Sequence, residues 1–148
     1  MQIRFLIVSL VMTGAPLLCS AELGGNPDSV LTDQTHMKGE LLIKPQANYT
    51  VHEITLPSGT VVREYVSLSG TVFAVAWNGP AMPDLRQLFG SYFAQFVDAA
   101  KMQHESRGRL HVATTGLVVQ SSGHMRAFFG RAYLPKLMPP NVAIDAIR

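Results

Sequence analysis

Hydrophobic and polar residues alternate in three segments that follow one another after residue 48. Each segment is enriched in valine, threonine and aromatic residues, and Ser-Gly turns separate them, which is typical of antiparallel strands. We expect strands over residues 49–56, 60–66 and 71–77. The second turn repeats the first, since Ser-Gly-Thr-Val occurs at both residues 58–61 and 69–72. The pattern therefore predicts a three-stranded meander.

The first turn also predicts how its two strands pair. Pro57 has a fixed φ that suits a three-residue loop, and Gly59 can take the left-handed conformation of a bulge. Leu56 then faces Thr60, which places Glu53 opposite Arg63 and His52 opposite Glu64. The His52–Glu64 pair lies on one face of the predicted ribbon, and the Glu53–Arg63 pair on the other.

The second turn, interpreted in the same way, predicts the register of the next pair of strands. It places Tyr65 opposite Phe73 and Val61 opposite Trp77. We therefore expect a bulkier face and a smaller reverse face, both apolar enough to be at least partly covered. The bulkier face would hold Val61, Tyr65, Phe73, Val75 and Trp77, and the reverse face Val62, Val66, Ala74 and Ala76.

Apolar residues then recur at helical spacing from Leu85 to Ala100, with Asp84 placed as the N-cap. The apolar stripe covers about half of the helix circumference, which is typical of a helix that lies on a sheet. We expect this helix to end before Gly108. Gly90 lies within it, and close approach to a neighbour would explain a glycine at that position.

A shorter helix is predicted over residues 29–38, ahead of the first strand. Val30, Leu31, Gln34 and Met37 are spaced to share one face of it, and Gly39 is placed to end it.

The alternating pattern returns after Gly108, over residues 110–114, 117–120 and 124–134. A Thr-Gly turn separates the first two segments, and we expect Ser121-Ser122-Gly123 to form the second turn. The chain is therefore expected to be α+β. Its antiparallel sheet would consist of two three-stranded meanders in the order βββ-α-βββ, with one long amphipathic helix packed on it.

The first 21 residues have the layout of a secretory signal peptide. Arg4 precedes a short apolar stretch, and Cys19-Ser20-Ala21 ends it in small residues. We expect cleavage after Ala21, a single exported domain over residues 22–148, and a location in the periplasm or cell envelope. A lipoprotein anchor at Cys19 is the alternative, which the large Leu18 before the cysteine disfavours.

Composition narrows the class of protein. The chain has 148 residues, of which 47% are hydrophobic and 15% charged, which fits one small folded domain. Cys19 is the single cysteine, so a disulfide framework is excluded. No apolar run reaches the ~20 residues that a membrane-spanning helix needs, so we expect no transmembrane span after cleavage.

Charge is distributed unevenly along the chain. Residues 22–105 carry nine carboxylates against five basic side chains, whereas residues 106–148 carry six basic side chains against Asp145 alone. One interpretation is a cationic face for an anionic envelope surface. The other is that the two parts pack together and face their charges toward each other or toward water.

Motifs for common cofactors and metals are missing from the sequence. The five histidines are not spaced as metal ligands, and there is no phosphate loop or dinucleotide-binding glycine motif. We therefore expect no metal and no cofactor. Residues 126–133 alternate basic and aromatic side chains as an RNA-recognition strand does, but the match fails at several positions, so we expect no nucleic-acid partner.

Two groups of residues are candidate sites. His52 and Glu64 form the first, because a carboxylate can orient an imidazole for proton transfer; a cross-strand ion pair is the alternative. Ser122, His124 and Arg126, with Ser121, form the second, because hydroxyls, N–H groups and a guanidinium can hold a carboxylate or phosphate. A solvated hairpin end is the alternative there.

Five stretches of the sequence resemble a family of exported bacterial proteins, the domain of unknown function twenty-eight forty-four. They are residues 49–53 (YTVHE), 57–66 (PSGTVVREYV), 70–77 (GTVFAVAW), 79–86 (GPAMPDLR) and 122–128 (SGHMRAF). The resemblance extends from about Leu23 to Arg148. It implies export to the periplasm or envelope, and it implies no activity.

Two functions from different classes remain open. The first is a non-enzymatic binding or accessory module of the envelope, whose partner is an unknown envelope protein or a small anionic ligand. The second is a small hydrolase or lyase that uses His52 or His124 as a base, with Glu64 or Arg126 in support. A third, separate possibility is a homodimer that covers the free sheet face or strand edge.

Overall fold

The computed structural model describes residues 22–102 and 108–148, which form one seven-stranded antiparallel sheet with helices on one face. The expected signal peptide, residues 1–21, lies outside the described residues. The strand order is β1-β2-β3-β4-β7-β6-β5. The helices are α1 (Pro27–Met37), α2 (Leu85–Phe89) and α3 (Phe93–Lys101). The strands are β1 (Glu40–Pro45), β2 (Tyr49–Thr55), β3 (Val61–Ser67), β4 (Val72–Gly79), β5 (Arg109–Ala113), β6 (Val118–His124) and β7 (Ala127–Tyr133).

The α+β class is confirmed, but the sheet has four strands before the helices and three after them. The strand missing from the prediction is β1, which pairs with β2 at one edge of the sheet. Most of its residues are exposed, and it includes Glu40, Lys44 and Pro45. An edge strand of this composition lacks the alternation that marks the other strands.

The register of the first predicted hairpin is confirmed. His52 lies opposite Glu64 and Glu53 opposite Arg63, as the Pro-Ser-Gly turn indicated. The Leu56 N–H donates to the carbonyl of Thr60 over 2.8 Å, which closes the turn. Arg63 and Lys44 both bond Glu53, at 2.8 and 2.9 Å.

The register predicted for the second hairpin is wrong by one residue. Val66 lies opposite Val72, but Tyr65 lies opposite Ala74 rather than Phe73, because a β-bulge leaves Phe73 without a paired residue. Val61 accordingly faces Asn78, and Trp77 faces Val62.

The bulge also reassigns the two faces of the meander. One extra residue in a strand moves every later side chain to the other side of the sheet. Val75 and Trp77 therefore join Val62 and Val66 in the core beneath the helices. Tyr65 and Phe73 pack on the opposite face together with Ala74 and Ala76.

The predicted long helix is present as two helices joined by a 3₁₀ turn. Asp84 caps α2 as expected, accepting from the N–H groups of Arg86 and Gln87 at 2.9 and 3.3 Å. Gly90 then interrupts the helix with φ +48°, and a Cβ there would overlap the side chain of Glu22. The close neighbour expected for Gly90 is therefore Glu22, whose carboxylate accepts from the Ser91 N–H at 2.8 Å.

The predicted N-terminal helix is also present, but it starts earlier and buries a different face. Pro27 occupies its first turn, and Asn26 caps it by accepting from the Ser29 N–H. Its buried residues are Ser29, Val30 and Asp33, whereas Leu31 is exposed. The face predicted from Val30, Leu31, Gln34 and Met37 is therefore wrong in part, because Asp33 lies inside.

The turn predicted at Ser121-Ser122-Gly123 is wrong. Ser121 and Ser122 lie within β6, and the chain reverses two residues later, at Met125 and Arg126. Arg126 has φ +65°. Gly123 lies within β6, opposite Phe128 of β7. The Phe128 ring packs over Gly123, and a Cβ at this position would lie 2.4 Å from the ring.

The two faces of the sheet have different covers. On one face, Trp77 packs against Phe89, and Phe89 against Phe96, so that α2 and α3 close the main core. On the other face, the segment 134–148 crosses the sheet with Ile147 fully buried. The Tyr65 hydroxyl bonds the Arg148 carbonyl at 3.0 Å and fastens this segment to β3.

Candidate functional site

A cleft of about 560 Å³ opens on the sheet face opposite the helices. The segment 134–148 covers β2, β3 and β4 there, and the cleft lies beside its end at Ile147 and Arg148. The floor of the cleft is formed by β5, β6 and β7.

Strand pairing arranges the cleft side chains in two parallel rows. In the first row, Arg109 lies opposite Ser122 and Ser122 opposite Phe129. In the second, His111 lies opposite Gln120 and Gln120 opposite Arg131. Members of one row are direct cross-strand neighbours, with Cβ atoms about 4.5–5.5 Å apart. The rows lie two residues apart along the strands, about 7 Å.

The charged side chains among the described residues that line the cleft are all arginines. Arg109, Arg131 and Arg148 line it together with His111, and none of its described lining residues is Asp or Glu. Within the described chain, the guanidinium groups of Arg109 and Arg148 make no hydrogen bond or ion pair. They are therefore available to an anion, and each can donate two parallel N–H groups to a carboxylate or phosphate.

Arg131 is held in place by its neighbours. Its Nε donates to the Gln120 side-chain oxygen at 2.7 Å, and one Nη donates to the Ile144 carbonyl at 2.8 Å. The same nitrogen lies 3.9 Å from the exposed Asp145 carboxylate. Arg131 therefore ties the segment 134–148 to the floor of the cleft and adds positive charge there.

Phe129 gives the cleft an apolar surface. Its side chain is 55% exposed, in the same row as Arg109 and Ser122. An exposed phenyl ring beside two arginines suits a ligand with both a flat apolar part and a negative group.

The residues predicted to bind a ligand are only partly brought together. Ser122 lines the cleft, whereas His124 and Arg126 are exposed at the tip of the β6–β7 hairpin and are not among the lining residues. The reason is the shifted turn, which places His124 at the end of β6 and Arg126 in the turn itself, just beyond the lining residues Ser122 and Phe129. Ser121, on the neighbouring position of β6, also lines the cleft.

The other predicted pair, His52 and Glu64, lies on the helix-covered face. The two residues are opposite each other, but the described chain contains no hydrogen bond or ion pair between them. Burial lowers the pKa of His52, whose Nδ1 is enclosed without a partner in the described structure. Neither His52 nor His124 lines the cleft, so a hydrolase or lyase based on them stays a prediction.

Glu64 instead meets a second carboxyl group, that of Asp33 on α1. Both side chains are buried, and Gln87 of α2 donates from its amide nitrogen to Asp33 Oδ1. No N–H or O–H group of the described chain reaches Asp33 Oδ2 or Glu64 Oε2. A hydrogen bond between the two carboxyl groups therefore needs a proton on one of them.

Both carboxyl groups of this pair favour the protonated state. Burial raises the pKa of Asp33 to about 7, against the opposing effect of its hydrogen bonds to Gln87 and Glu64. Burial and then repulsion from Asp33 raise the pKa of Glu64 well above its usual value. The pair lies beneath α1 and joins that helix to β3 and α2.

Most of the residues that line the cleft were not predicted as site residues from the sequence. Arg109, His111, Gln120, Phe129 and Arg131 come from three strands, and only the pairing of those strands brings them together. A signal was present, because Arg109 and His111, like Phe129 and Arg131, occupy alternate positions that share one strand face. Asp33 carried no such signal, since its role depends on how α1 packs.

The described part of the chain holds neither a cluster of metal-ligating side chains nor a helix that could span a membrane. Residues 22–102 and 108–148 contain no group of three or more His, Cys, Asp or Glu side chains placed to hold a metal ion. Among the described helices, none has the length and hydropathy needed to cross a bilayer.

Comparison with known proteins identifies a family. The family model described as protein of unknown function (DUF2844) matches residues 19–147. No curated protein and no solved structure matches the chain.

Proposed function

Since this chain belongs to the DUF2844 family, which carries no assigned activity, we propose from the cleft alone that it is a binding module for small organic anions. The observation that carries the proposal is the pair of cross-strand rows that place Arg109, His111 and Arg131 beside the exposed ring of Phe129. With three arginines and no Asp or Glu among the described lining residues, the cleft favours a negative ligand.

The ligand class follows from the arrangement of charge and ring. A carboxylate or phosphate group would be held by the guanidinium of Arg109, which has no partner in the described part of the chain, with the Ser122 hydroxyl as a second donor. An apolar or aromatic part would lie on Phe129. The volume of about 560 Å³ is in the range of sites that take molecules of drug size.

Calorimetric titration with three probes tests this proposal. Phenyl phosphate carries both the charge and the ring, inorganic phosphate carries only the charge, and benzylamine carries the ring with the opposite charge. We expect phenyl phosphate to bind at least tenfold more tightly than inorganic phosphate, and benzylamine not to bind. Equal binding of benzylamine would contradict the proposal.

A matched pair of variants then locates the binding. Arg109→Gln removes a cleft cation and should weaken phenyl phosphate binding about 10-fold or more, the range for a hydrogen bond to a charged group. Arg126→Gln removes the same charge from the hairpin tip and should change the affinity less than twofold. If Arg126→Gln had the larger effect, the ligand would lie at the hairpin tip and not in the cleft.

We also propose that the protein acts in the cell envelope. Supporting this is the sequence of residues 1–21, with its basic start, apolar stretch and small residues before the expected cleavage point. Osmotic-shock fractionation followed by N-terminal sequencing tests it. We expect release with the periplasmic fraction and a chain that begins at Glu22.

The lipoprotein alternative is tested in the same experiment. If processing follows Ala21, Cys19→Ser leaves the size and location of the protein unchanged. A protein that stays with the membrane, and is released from it by Cys19→Ser, would support anchoring at Cys19 instead.

A further inference from the structure

The outer edge of β1 has backbone groups and apolar side chains that nothing in the described chain covers. We propose that a second copy of this chain pairs with it, β1 against β1, so that the sheet continues across a two-fold axis at Leu42. The proposal is independent of the cleft, which lies toward the other end of the sheet.

The hydrogen bonds of the neighbouring strands show which groups of β1 point outward. The Gln46 N–H donates to the Tyr49 carbonyl at 2.8 Å, so alternate residues from there, Lys44, Leu42 and Glu40, bond to β2. The bond from Leu56 to Thr60 gives the same phase, because it assigns the even residues of β2 to β3 and its odd residues to β1. The N–H and C=O groups of Leu41 and Ile43 therefore point away from the sheet.

A two-fold pairing centred on Leu42 fits these groups. Leu41 would lie opposite the partner's Ile43, and these are the two residues whose N–H and C=O groups point outward. The pair would exchange two hydrogen bonds, and the symmetry would repeat them, which gives four. Pro45 has no N–H, and the Gly39 N–H already bonds Gln34, so the ladder ends on both sides.

The side chains of β1 are self-complementary in the same register. Glu40 would lie opposite the partner's Lys44, and Leu42 opposite its own copy, so that opposite charges and apolar groups meet. Leu42 is 55% exposed and Ile43 is 51% exposed, which is unusual for an edge strand that stays single. At the other edge, the same operation on β5 would place His111 opposite itself and gain no charge pair.

Cysteine crosslinking tests the register directly. In a Cys19→Ser background, Leu42→Cys places two thiols at the axis in a non-hydrogen-bonded pair, whose Cα spacing of about 4.5 Å allows a disulfide. Ile43→Cys is the matched control, because its two copies would lie about 8 Å apart, beyond disulfide reach. We expect mild oxidation of the full-length protein to give a covalent dimer of Leu42→Cys at least tenfold faster than of Ile43→Cys. Equal rates would overturn the proposed pairing.

A proline substitution tests the hydrogen bonds. Ile43→Pro removes an N–H that β2 does not use, so the fold keeps its ladder while the dimer loses two of four bonds. Ile43→Ala removes a similar amount of side chain and keeps the N–H. By light scattering, we expect the native protein and Ile43→Ala to give the mass of a dimer and Ile43→Pro that of a monomer with a native circular dichroism spectrum. A native protein that is monomeric at millimolar concentration would refute the proposal.

Discussion

The two faces of the sheet are closed by different kinds of structure. Three helices cover one face, and their aromatic residues meet Trp77 in a continuous core. The irregular segment 134–148 covers the other face over β2, β3 and β4 and leaves β5, β6 and β7 partly open. Strands β5, β6 and β7 therefore have one face closed by helices and one face that is partly open.

Charged residues differ between the two faces in a way that follows from this coverage. The closed side buries Asp33 and Glu64, and because a buried charge is costly, burial raises the pKa of both carboxyl groups toward the protonated form. The open side keeps Arg109 and Arg148 in contact with water, where a guanidinium stays charged. Whether a charged group can contact a ligand therefore depends on how its sheet face is covered. Asp33 and Glu64 are buried within the fold, whereas Arg109 and Arg148 are accessible to a ligand.

The largest expected difference between the faces is in stability. Phe89→Ala empties a fully buried position between Trp77 and Phe96 and should lower the free energy of unfolding by about 3–5 kcal/mol. Phe129→Ala removes the same ring from the open side and should cost less than about 1 kcal/mol. Urea unfolding measures both. Equal losses would show that the cleft face is packed as tightly as the core.

The carboxyl pair should make stability depend on pH. The pKa of Asp33 in the folded protein is about 7, above its ordinary value of 3.8. Proton binding by Asp33 therefore adds to the free energy of unfolding, and this contribution is fully present below about pH 4 and is lost as the pH rises through 7. Between about pH 4 and 7, the free energy of unfolding should fall by about 1.4 kcal/mol per pH unit for this one proton. Glu64, shifted in the same direction, extends the loss to higher pH.

Asp33→Asn identifies the source of that slope. An asparagine amide can still donate to Glu64 without titrating, so the free energy of unfolding should fall less steeply between pH 5 and 7. Asp98→Asn, on the exposed side of α3, is the matched control and should keep the native slope. Unchanged pH dependence in Asp33→Asn, measured by urea unfolding at several pH values, would exclude the pair as its cause.

Arg131 should help to hold the segment 134–148 against the sheet. Arg131→Met keeps the apolar stem but loses the bonds to Gln120 and Ile144, so we expect a loss of about 1–3 kcal/mol. Faster amide exchange at Ile147 should accompany it. Arg109→Met, which breaks no contact within the described chain, should change stability by less than about 0.5 kcal/mol. If both variants cost the same, Arg131 does not hold the segment.

The smallest effect is expected at the hairpin tip. Arg126 has φ +65°, a conformation that costs a non-glycine residue about 1–2 kcal/mol. Arg126→Gly should therefore stabilise the protein by about 0.5–1 kcal/mol, whereas Arg126→Ala, which keeps the Cβ, should be neutral. Thermal unfolding distinguishes them. A large loss in both variants would mean that the arginine side chain supports the fold.

Local sequence signals predicted the parts of the fold that local interactions determine. The Pro57-Ser58-Gly59 turn was sufficient to place His52 opposite Glu64, because a tight turn fixes the register of both its strands. Asp84 was correctly predicted as a helix cap, because a cap bonds N–H groups only two or three residues further along the chain. Gly90 was recognised as unusual, but its neighbour Glu22 is far away in sequence and could not be named.

Features that depend on distant segments could not be predicted. At the bulge, the Phe73 carbonyl accepts a hydrogen bond at 2.9 Å from the N–H of Leu134, a residue 61 positions later in the sequence. The end of α1 and two whole strands, β1 and β2, separate Asp33 from Glu64 in the sequence, so neither carboxylate indicates the other. The cleft likewise needs the pairing of β7 with both β4 and β6, which no periodicity encodes.

We propose that the open face binds an organic anion between Arg109 and Phe129. Amide NMR spectra of the full-length protein, recorded while phenyl phosphate is added, test it most directly. If the anion binds in the cleft, the signals of Arg109, His111, Ser122 and Phe129 should shift saturably, while those of Arg126 and of α1 stay unchanged. Shifts confined to the hairpin tip, or no shifts at millimolar phenyl phosphate, would contradict it.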